Sequence, residues 1–253
     1  MIVDVNCYCG HWPFRRIKNE TLEGLLKSSE KTGIDKMIVS SLNSIFYEDC
    51  YEGDAEIYEA ASGRVFQALT VNPAFPTFAD DIRRGIEAFS IKAVRIFPGY
   101  HNYELDDPCV KELFEILAKY KLPLLLTYQM EDRRTIHMCM PKQLENDKLL
   151  HMLQFNEKIP VVITNMHVGQ WIPFSKYCEQ YGNVYFDTSG IRYGQTDIIT
   201  KALEIIPDNN ILYGSNFPLN YRTSTLNYFR MDPTESAARE NILYKNAQRL
   251  FGI

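Results

Sequence analysis

The chain begins MIVDVNCYCGHWPF (residues 1–14), and the pattern of this segment is repeated along the rest of the sequence. An apolar run, predicted as a strand at about residues 2–8, ends in polar, aromatic and sulfur-bearing side chains and is followed by Gly10 and a proline turn. Asn6 and Tyr8 stand where this strand ends. Their chemistry bears directly on whether the protein binds a metal.

Seven further apolar runs are predicted as strands, at residues 36–41, 65–71, 92–97, 123–128, 160–166, 183–188 and 210–215. The longer amphipathic segments between them predict helices, including 21–32, 108–120 and 234–250. Eight strand–helix units in 253 residues favour a closed (β/α)8 TIM barrel of the α/β class over an open doubly wound sheet. No Pro/Gly/Ser-rich linker divides the chain, so residues 1–253 are predicted to form a single domain.

Composition narrows the classes of function. Hydrophobic residues make up 45% and charged residues 23%, as in ordinary globular proteins. A net charge of −5 offers no basic field for a nucleic acid, so a small-molecule substrate or ligand is favoured as the partner. Asp4 and Asn6 interrupt the first apolar run, which argues against a signal peptide, and no run reaches the roughly 18 apolar residues of a membrane span. We therefore expect a cytoplasmic protein with no membrane partner, and aromatic residues at the rim suggest a homo-oligomer.

Two loops that follow predicted strands are long, PGYHNYELDD (98–107) and QMEDRRTIHMCMP (129–141). In TIM barrels the loops at the carboxyl ends of the strands carry the active site. The second loop contains four ionisable candidates: Glu131, Asp132, Arg133 and His137. A carboxylate beside an imidazole can orient it for general acid–base catalysis. The alternative is a solvated loop whose charges form surface ion pairs.

Four segments resemble the amidohydrolase-related family, the metal-dependent TIM-barrel hydrolases and decarboxylases that open with D-x-H-x-H. They are VDVNCYCG (3–10), NMHVG (165–169), YFDTSG (185–190) and YGSNFP (213–218), and the ending ILYKNAQRLFGI (242–253) resembles the closing helix of that family. The resemblance implies hydrolysis of a C–N or ester bond, or decarboxylation. It also implies a divalent metal in the barrel mouth.

The resemblance assigns five metal-ligand positions, and in this chain they are occupied by Asn6, Tyr8, Thr127, His167 and Asn216. Only His167 keeps the ligand chemistry of the family. A catalytic zinc needs about three imidazole, thiolate or carboxylate ligands. We therefore expect no metal and no other cofactor. A divalent metal such as zinc would require ligands outside the family set, either Cys7 and Cys9 after a register slip or loop histidines that join His167: His11, His101 and His137.

His167 is predicted to be the main acid–base group, with His137, Asp132 and Glu131 as further catalytic candidates. The predicted substrate-binding residues are Asn6, Tyr8, Arg95, Thr127, Asn216, His101, Arg133 and Trp171. Arg95 either clamps a substrate carboxylate or phosphate or points outward to a helix acid, Glu112 or Glu115, and strand parity leaves both readings open. The competing hypothesis for the whole protein is a non-catalytic barrel that keeps its pocket for ligand binding or partner assembly.

Overall fold

The computed structural model of the chain describes residues 1–58, 63–132, 134–135, 137–154, 156, 159–191 and 197–253. The strands are β1 (Val3–Cys9), β2 (Lys36–Ser41), β3 (Val65–Thr70), β4 (Ala93–Ile96), β5 (Leu124–Thr127), β6 (Val161–Thr164), β7 (Val184–Asp187) and β8 (Ile211–Leu212). Each pairs in parallel with the next, in chain order. A bridge between Cys7 and Phe217 and a hydrogen bond from Val5 N to Tyr213 O (2.9 Å) bring the chain beyond β8 back to β1. The predicted (β/α)8 TIM barrel is confirmed.

The helices that surround the barrel are α1 (Leu22–Thr32), α2 (Cys50–Tyr58), α3 (Phe78–Phe89), α4 (Pro98–His101), α5 (Pro108–Tyr120), α6 (Asn146–Gln154), α7 (Ser175–Tyr181), α8 (Ile198–Leu203), α9 (Arg222–Met231), α10 (Ser236–Glu240) and α11 (Asn246–Phe251). A π-helical turn, Asn241–Lys245, joins α10 to α11, so the helix predicted at 234–250 consists of three pieces. Local chemistry sets some of these ends, since the Thr21 side chain caps α1 and Gly33 ends it in the left-handed conformation. None of the helices in the described ranges is long and apolar enough to cross a bilayer.

Side-chain alternation divides each strand between the barrel interior and the layer under the helices. In β4, Ala93 belongs to the interior cluster, whereas Val94 and Ile96 pack in the larger core against the helices. The interior apolar layer consists of Val3, Val5, Ile38, Ala68, Ala93, Leu125, Val162, Tyr185 and Leu212, and Ala247 and Phe251 of α11 join it. One inward position further along the strands the side chains become polar, and these residues form the interior part of the candidate site.

The first strand follows the same division with one irregularity. Its register against β2 shifts between Asp4 and Cys7. Beyond the shift, Cys7 and Cys9 pack in the core against the helices, while Tyr8 joins an apolar cluster at the barrel mouth. The predicted outward orientation of the two cysteines is therefore observed, and a cysteine site in the barrel mouth is not formed by them.

Candidate functional site

Arg95 is the centre of a polar network inside the barrel. Its side chain is fully buried and contacts Asn6 of β1 and Thr127 of β5, so the guanidinium points into the barrel, which decides the question that strand parity left open. The Nη1 group donates hydrogen bonds to Asn6 Oδ1 (2.8 Å), to Tyr8 Oη and to Thr127 Oγ1 (3.4 Å). Nη2 donates to the carbonyl of Val5 (3.4 Å), and the guanidinium carbon lies 4.8 Å from the centroid of the Tyr8 ring.

Asn6 connects this cation to a buried acid. Its Oδ1 accepts from Arg95, while its Nδ2 donates to Asp187 Oδ2 at 2.8 Å. Asp187 also accepts from Ser189 Oγ (2.7 Å) and from the backbone N–H of Asn165 (2.9 Å). Burial raises the pKa of Asp187 to about 6, although these hydrogen bonds and the nearby Arg95 charge act to lower it. The interior therefore holds a cation and an acid linked through one amide.

Asn165 and Ser189 complete the network, and the sequence interpretation missed both. Asn165 follows β6 with a left-handed backbone (φ 63°), and its side-chain amide donates to Asn216 Oδ1 (3.1 Å). Its Oδ1 accepts from Asn6 Nδ2 (3.0 Å) and lies in contact with Ser189 Oγ. Asn216 in turn donates to the backbone carbonyl of Met130 (3.0 Å). The sequence signal that could have identified Asn165 is its position two residues before the family histidine in NMHVG.

Close backbone packing holds the acid in this place. A Cβ atom on Gly214, in the YGSNFP segment, would lie 2.2 Å from Asp187 Oδ2 and 3.0 Å from the Asn6 Cβ. Only glycine leaves room for this approach. The glycine of this segment is thus required by the interior network.

An apolar cluster covers the network at the barrel mouth. It consists of Tyr8, Trp12, Ile17, Leu42, Ile45, Phe97, Met130 and Leu219, and Phe14 and Tyr100 pack against it. The Trp12 ring contacts the Phe14 and Tyr100 rings edge to face, at centroid distances of 5.2 and 6.1 Å. The polar network beneath is consequently shielded from solvent.

A cavity of about 70 Å³ lies beside this cluster, over the end of β5. Its lining includes the buried side chain of Thr127, the half-buried Tyr100 and the exposed side chains of Met140 and Lys142. The cavity therefore runs from the protein surface down to a residue of the interior network. A volume of this size holds a few water molecules, or one polar group of a larger ligand whose remainder lies at the open end of the cavity.

Glu131 and His137 form a pair on the wall of this cavity. His137 Nε2 lies 3.0 Å from Glu131 Oε2, and both side chains are about one-tenth exposed. His137 Nδ1 has no hydrogen-bond partner among the described residues. With Nε2–H donated to the carboxylate, Nδ1 keeps an unshared lone pair on a buried atom. This is the geometry that an oriented general base requires.

The loop after β1 fixes this pair from the opposite side. Trp12 Nε1 donates to Glu131 Oε2 (3.0 Å), and Arg15 Nε donates to Glu131 Oε1 (2.6 Å). The Phe14 ring stacks on the His137 imidazole, with centroids 4.3 Å apart and planes 8° from parallel. The segment HWPFR is thus part of the site.

The other charged candidates of the second long loop do not all join the pair. Asp132 lines the cavity, and its carboxylate accepts from the Arg134 side chain at 2.9 Å. Arg133, predicted to bind substrate, lies outside the described residues. The loop therefore combines the two predicted arrangements: Glu131 and His137 converge, whereas Asp132 also makes a surface ion pair.

Three predicted residues lie elsewhere than expected. His167 is exposed: its Nδ1 accepts from Gly169 N (3.2 Å) and caps a 3₁₀ turn, and it does not line the β5 cavity. Trp171 is buried under the helices, where it stacks on Phe186 at 4.9 Å. His101 lies against the Ile45 carbonyl (3.2 Å), and burial lowers its pKa to about 4. The expected convergence of His167 with the loop cluster is not observed, because the backbone turns at Asn165 and directs the amide of that residue inward instead.

The chain belongs to the amidohydrolase family, whose model matches residues 44–253. The match starts beyond β1 and β2, so Asn6 and Tyr8 lie outside it. The predicted resemblance to a family of TIM-barrel hydrolases and decarboxylases is therefore confirmed. No curated protein matches the chain.

Solved structures of decarboxylases share the whole fold. The 5-carboxyvanillate decarboxylase of Sphingomonas paucimobilis is 14% identical with a TM-score of 0.74, over 100% of this chain and 99% of that one. The 2,6-dihydroxybenzoate decarboxylase of Rhizobium is 14% identical (TM-score 0.73; 99% and 98% covered). The dihydroxybenzoic acid decarboxylase of a Polaromonas species, solved with bound manganese and the inhibitor 2-nitroresorcinol, is 13% identical (TM-score 0.73; 99% and 96% covered). At such identities the similarity shows the fold.

The residues at the five family ligand positions do not fit a divalent metal. Asn6, Tyr8 and Thr127 all accept from Arg95 Nη1, and Asn216 is bonded to Asn165 and to the backbone. His167 is turned to the surface. Within the described ranges, no three His, Cys, Asp or Glu side chains group closely enough to hold a metal ion. The donor set present is composed of neutral oxygens around a cation, which is unsuited to Zn²⁺ or Mn²⁺.

Proposed function

We propose that the chain is a metal-independent hydrolase that acts on a small polar molecule in the β5 cavity through acid–base chemistry at His137. The observation that carries the proposal is the His137 side chain on the cavity wall, with Nε2 3.0 Å from Glu131 Oε2 and a buried Nδ1 that has no hydrogen-bond partner among the described residues. A base that is oriented by a carboxylate, and whose second ring nitrogen makes no hydrogen bond within the described residues, is suited to take a proton from an attacking water that reaches it.

Each neighbouring group has a role in this reaction. Glu131 fixes the tautomer and orientation of His137, and it stabilises the imidazolium that forms when Nδ1 is protonated. Arg15 and Trp12 hold the Glu131 carboxylate in place. The Thr127 hydroxyl at the floor of the cavity can donate to a substrate oxygen, since its oxygen already accepts from Arg95. Stacking on Phe14 keeps the imidazole plane fixed.

Decarboxylation is the second reaction that we propose to test. The related folds named above belong to decarboxylases of aromatic carboxylic acids. In that reaction a protonated His137 would deliver its Nδ1 proton to the carbon from which carbon dioxide departs. The same residues serve both reactions, so one set of variants tests them.

The test compares the native chain with His137→Gln and Glu131→Gln on a panel of esters, amides, 5-carboxyvanillate and 2,6-dihydroxybenzoate. His151→Gln is the matched control, because His151 is an exposed histidine of α6 away from the cavity. We expect His137→Gln to lower kcat/KM by about 10²–10⁴-fold, the usual contribution of a positioned acid–base group, with His151→Gln unchanged. Activity of His137→Gln equal to the native activity would remove this residue from the mechanism.

A binding function without turnover is the alternative, and the shielded interior supports it. Arg95, Asn6 and Asp187 are bonded to one another beneath the apolar cluster, which is sufficient to explain them as structural groups. In that case panel members would raise the unfolding temperature, because ligands that bind only the folded state stabilise it, but no product would form. Product formation that depends on His137 decides for the enzyme.

A further inference from the structure

We infer that the Arg95 guanidinium takes the place of the divalent metal that the family holds in its barrel mouth. Three of the five family ligand positions, Asn6, Tyr8 and Thr127, contact the same nitrogen of this one side chain. They are contributed by β1 and β5, on either side of the β4 residue that reaches between them. Residues that would surround a metal in a relative thus surround a permanent organic cation here.

The acceptor chemistry matches a guanidinium. Arginine only donates hydrogen bonds and stays charged at all physiological pH values. An amide oxygen, a phenol oxygen and a hydroxyl oxygen are neutral acceptors that suit such a donor and bind zinc poorly. A divalent cation at the same three oxygens would also lie against the positive charge of Arg95. The substitutions at positions 6, 8 and 127 and the presence of Arg95 are therefore parts of one arrangement.

Asn6 and Asp187 show that the replacement is balanced electrically. An amide can present its oxygen to a cation and its N–H₂ to a carboxylate at the same time, and Asn6 does both, with contacts of 2.8 Å on each side. Asp187 is fully buried and supplies the opposite charge. This linkage lets a single positive charge be held where a metal would bring two.

The replacement limits what the interior can do. A guanidinium fixes and polarises groups that accept its hydrogen bonds, but it offers no open coordination position at which a water could be activated. Thr127 accepts a hydrogen bond from the guanidinium and also lines the β5 cavity, so it connects the two. The inference extends the metal-independent part of the proposed function, but it does not depend on turnover, so its tests measure metal binding alone.

The first test rebuilds the family ligands with and without the arginine. One variant carries Asn6→His, Tyr8→His and Asn216→Asp, and a second adds Arg95→Ala. After dialysis against Mn²⁺ and removal of free metal, elemental analysis should find near-stoichiometric manganese only in the variant that lacks Arg95, which should also unfold at a higher temperature with Mn²⁺ than without it. Equal manganese in both variants, or stoichiometric metal in the native chain, would overturn the inference.

A second test measures metal binding on the native chain itself, and variants serve only to assign its signals. Guanidinium Nε–H signals of Arg95 and Arg222 are followed by ¹⁵N NMR while MnCl₂ is added, with assignments from Arg95→Lys and Arg222→Lys. Arg222 is the matched control, because it is equally buried but pairs with Asp4 (3.1 Å) on the helix side of β1. We expect both signals to persist alike. Selective broadening of the Arg95 signal would place a paramagnetic ion in the interior and contradict the replacement.

Discussion

Arg95 in the barrel interior and His137 at the rim are both basic side chains with little exposure, and they differ in what surrounds their nitrogens. Arg95 Nη1 has three acceptors: Asn6, Tyr8 and Thr127. The hydrogen-bond network continues from Asn6 through Asn165 to Asn216. The Nε of Arg95 has no acceptor among the residues that the structure describes, and Arg95 does not line the cavity. His137 lines the cavity, and its Nδ1 has no hydrogen-bond partner among the described residues. Polarity in the barrel interior therefore maintains structure, whereas the Glu131–His137 pair lies on the cavity wall, where a ligand can reach it.

The largest effect on folding is expected from Arg95→Met. This change removes the cation and leaves Asp187 as an uncompensated buried charge and three oxygens without their donor. Breaking a buried charged network in this way costs about 3–5 kcal/mol. Urea denaturation should show the loss. In His137→Gln the free energy of unfolding should change far less. An equal loss of stability in the two variants would contradict the assignment of a structural role to the interior and a chemical role to the rim.

The pH dependence of stability gives a second test of the difference between interior and rim, because two buried acids have raised pKa values. Burial raises the pKa of Asp54 to about 7, against hydrogen bonds from Thr70 and Gln67, whereas Asp187 near Arg95 reaches about 6. Because these folded-state values exceed the unfolded value of 3.8, the folded state binds protons more tightly, so the contribution of these two acids to stability is fully present below about pH 4 and is lost as the pH rises through about 6 to 7.

Asp54→Asn should remove the larger part of this fall, on the order of a few kcal/mol between pH 4 and 8. Chemical denaturation at several pH values measures it, with the exposed Asp80→Asn of α3 as the control. Parallel pH curves for the native chain and Asp54→Asn would show that Asp54 does not titrate as described.

Thr127 joins the two regions, since it accepts from Arg95 and lines the cavity. Thr127→Val keeps the shape and removes the hydroxyl, and we expect kcat/KM to fall roughly tenfold, the value of one lost hydrogen bond of about 1.4 kcal/mol. Thr127→Ser should retain most of the activity. If the valine variant is as active as the serine variant, the hydroxyl does not contact the reacting molecule.

The smallest effect is expected from Arg15→Met. Arg15 is 43% exposed at the side chain, so its ion pair with Glu131 contributes less than about 1 kcal/mol to stability. Its loss should nevertheless loosen Glu131 and lower kcat more than it changes KM. A thermal melt and steady-state kinetics on the same sample separate the two effects, and a large drop in the melting temperature would indicate a structural role.

The sequence predicts the barrel well because strand periodicity and βα spacing are local properties. All eight predicted strands overlap the observed ones, and Glu131 and His137 were recognised from their separation on one loop. The direction of Arg95 was left open, although the apolar Val94 and Ile96 in KAVRIF indicate which side of β4 faces the helices, and hence that Ala93 and Arg95 share the interior.

His167 shows why the remaining features could not be predicted. Its position in NMHVG suggested an inward imidazole, but the left-handed backbone at Asn165 turns the segment, and this conformation follows from contacts with Asp187, Ser189 and Asn216 that are distant in sequence. The contacts of Arg15 and Trp12 with Glu131 also join residues more than 100 positions apart. Pattern reasoning has no access to such pairings.

The position of Trp12 has an optical consequence. Its indole donates to Glu131 and lies 6.4 Å from the His137 ring, whereas the second tryptophan, Trp171, is stacked in the core under the helices. A Trp171→Phe chain would therefore emit from Trp12 alone. Because an imidazolium quenches indole emission more strongly than a neutral imidazole does, the fluorescence of this single residue would report the charge state of the site and the arrival of a ligand, without any added label.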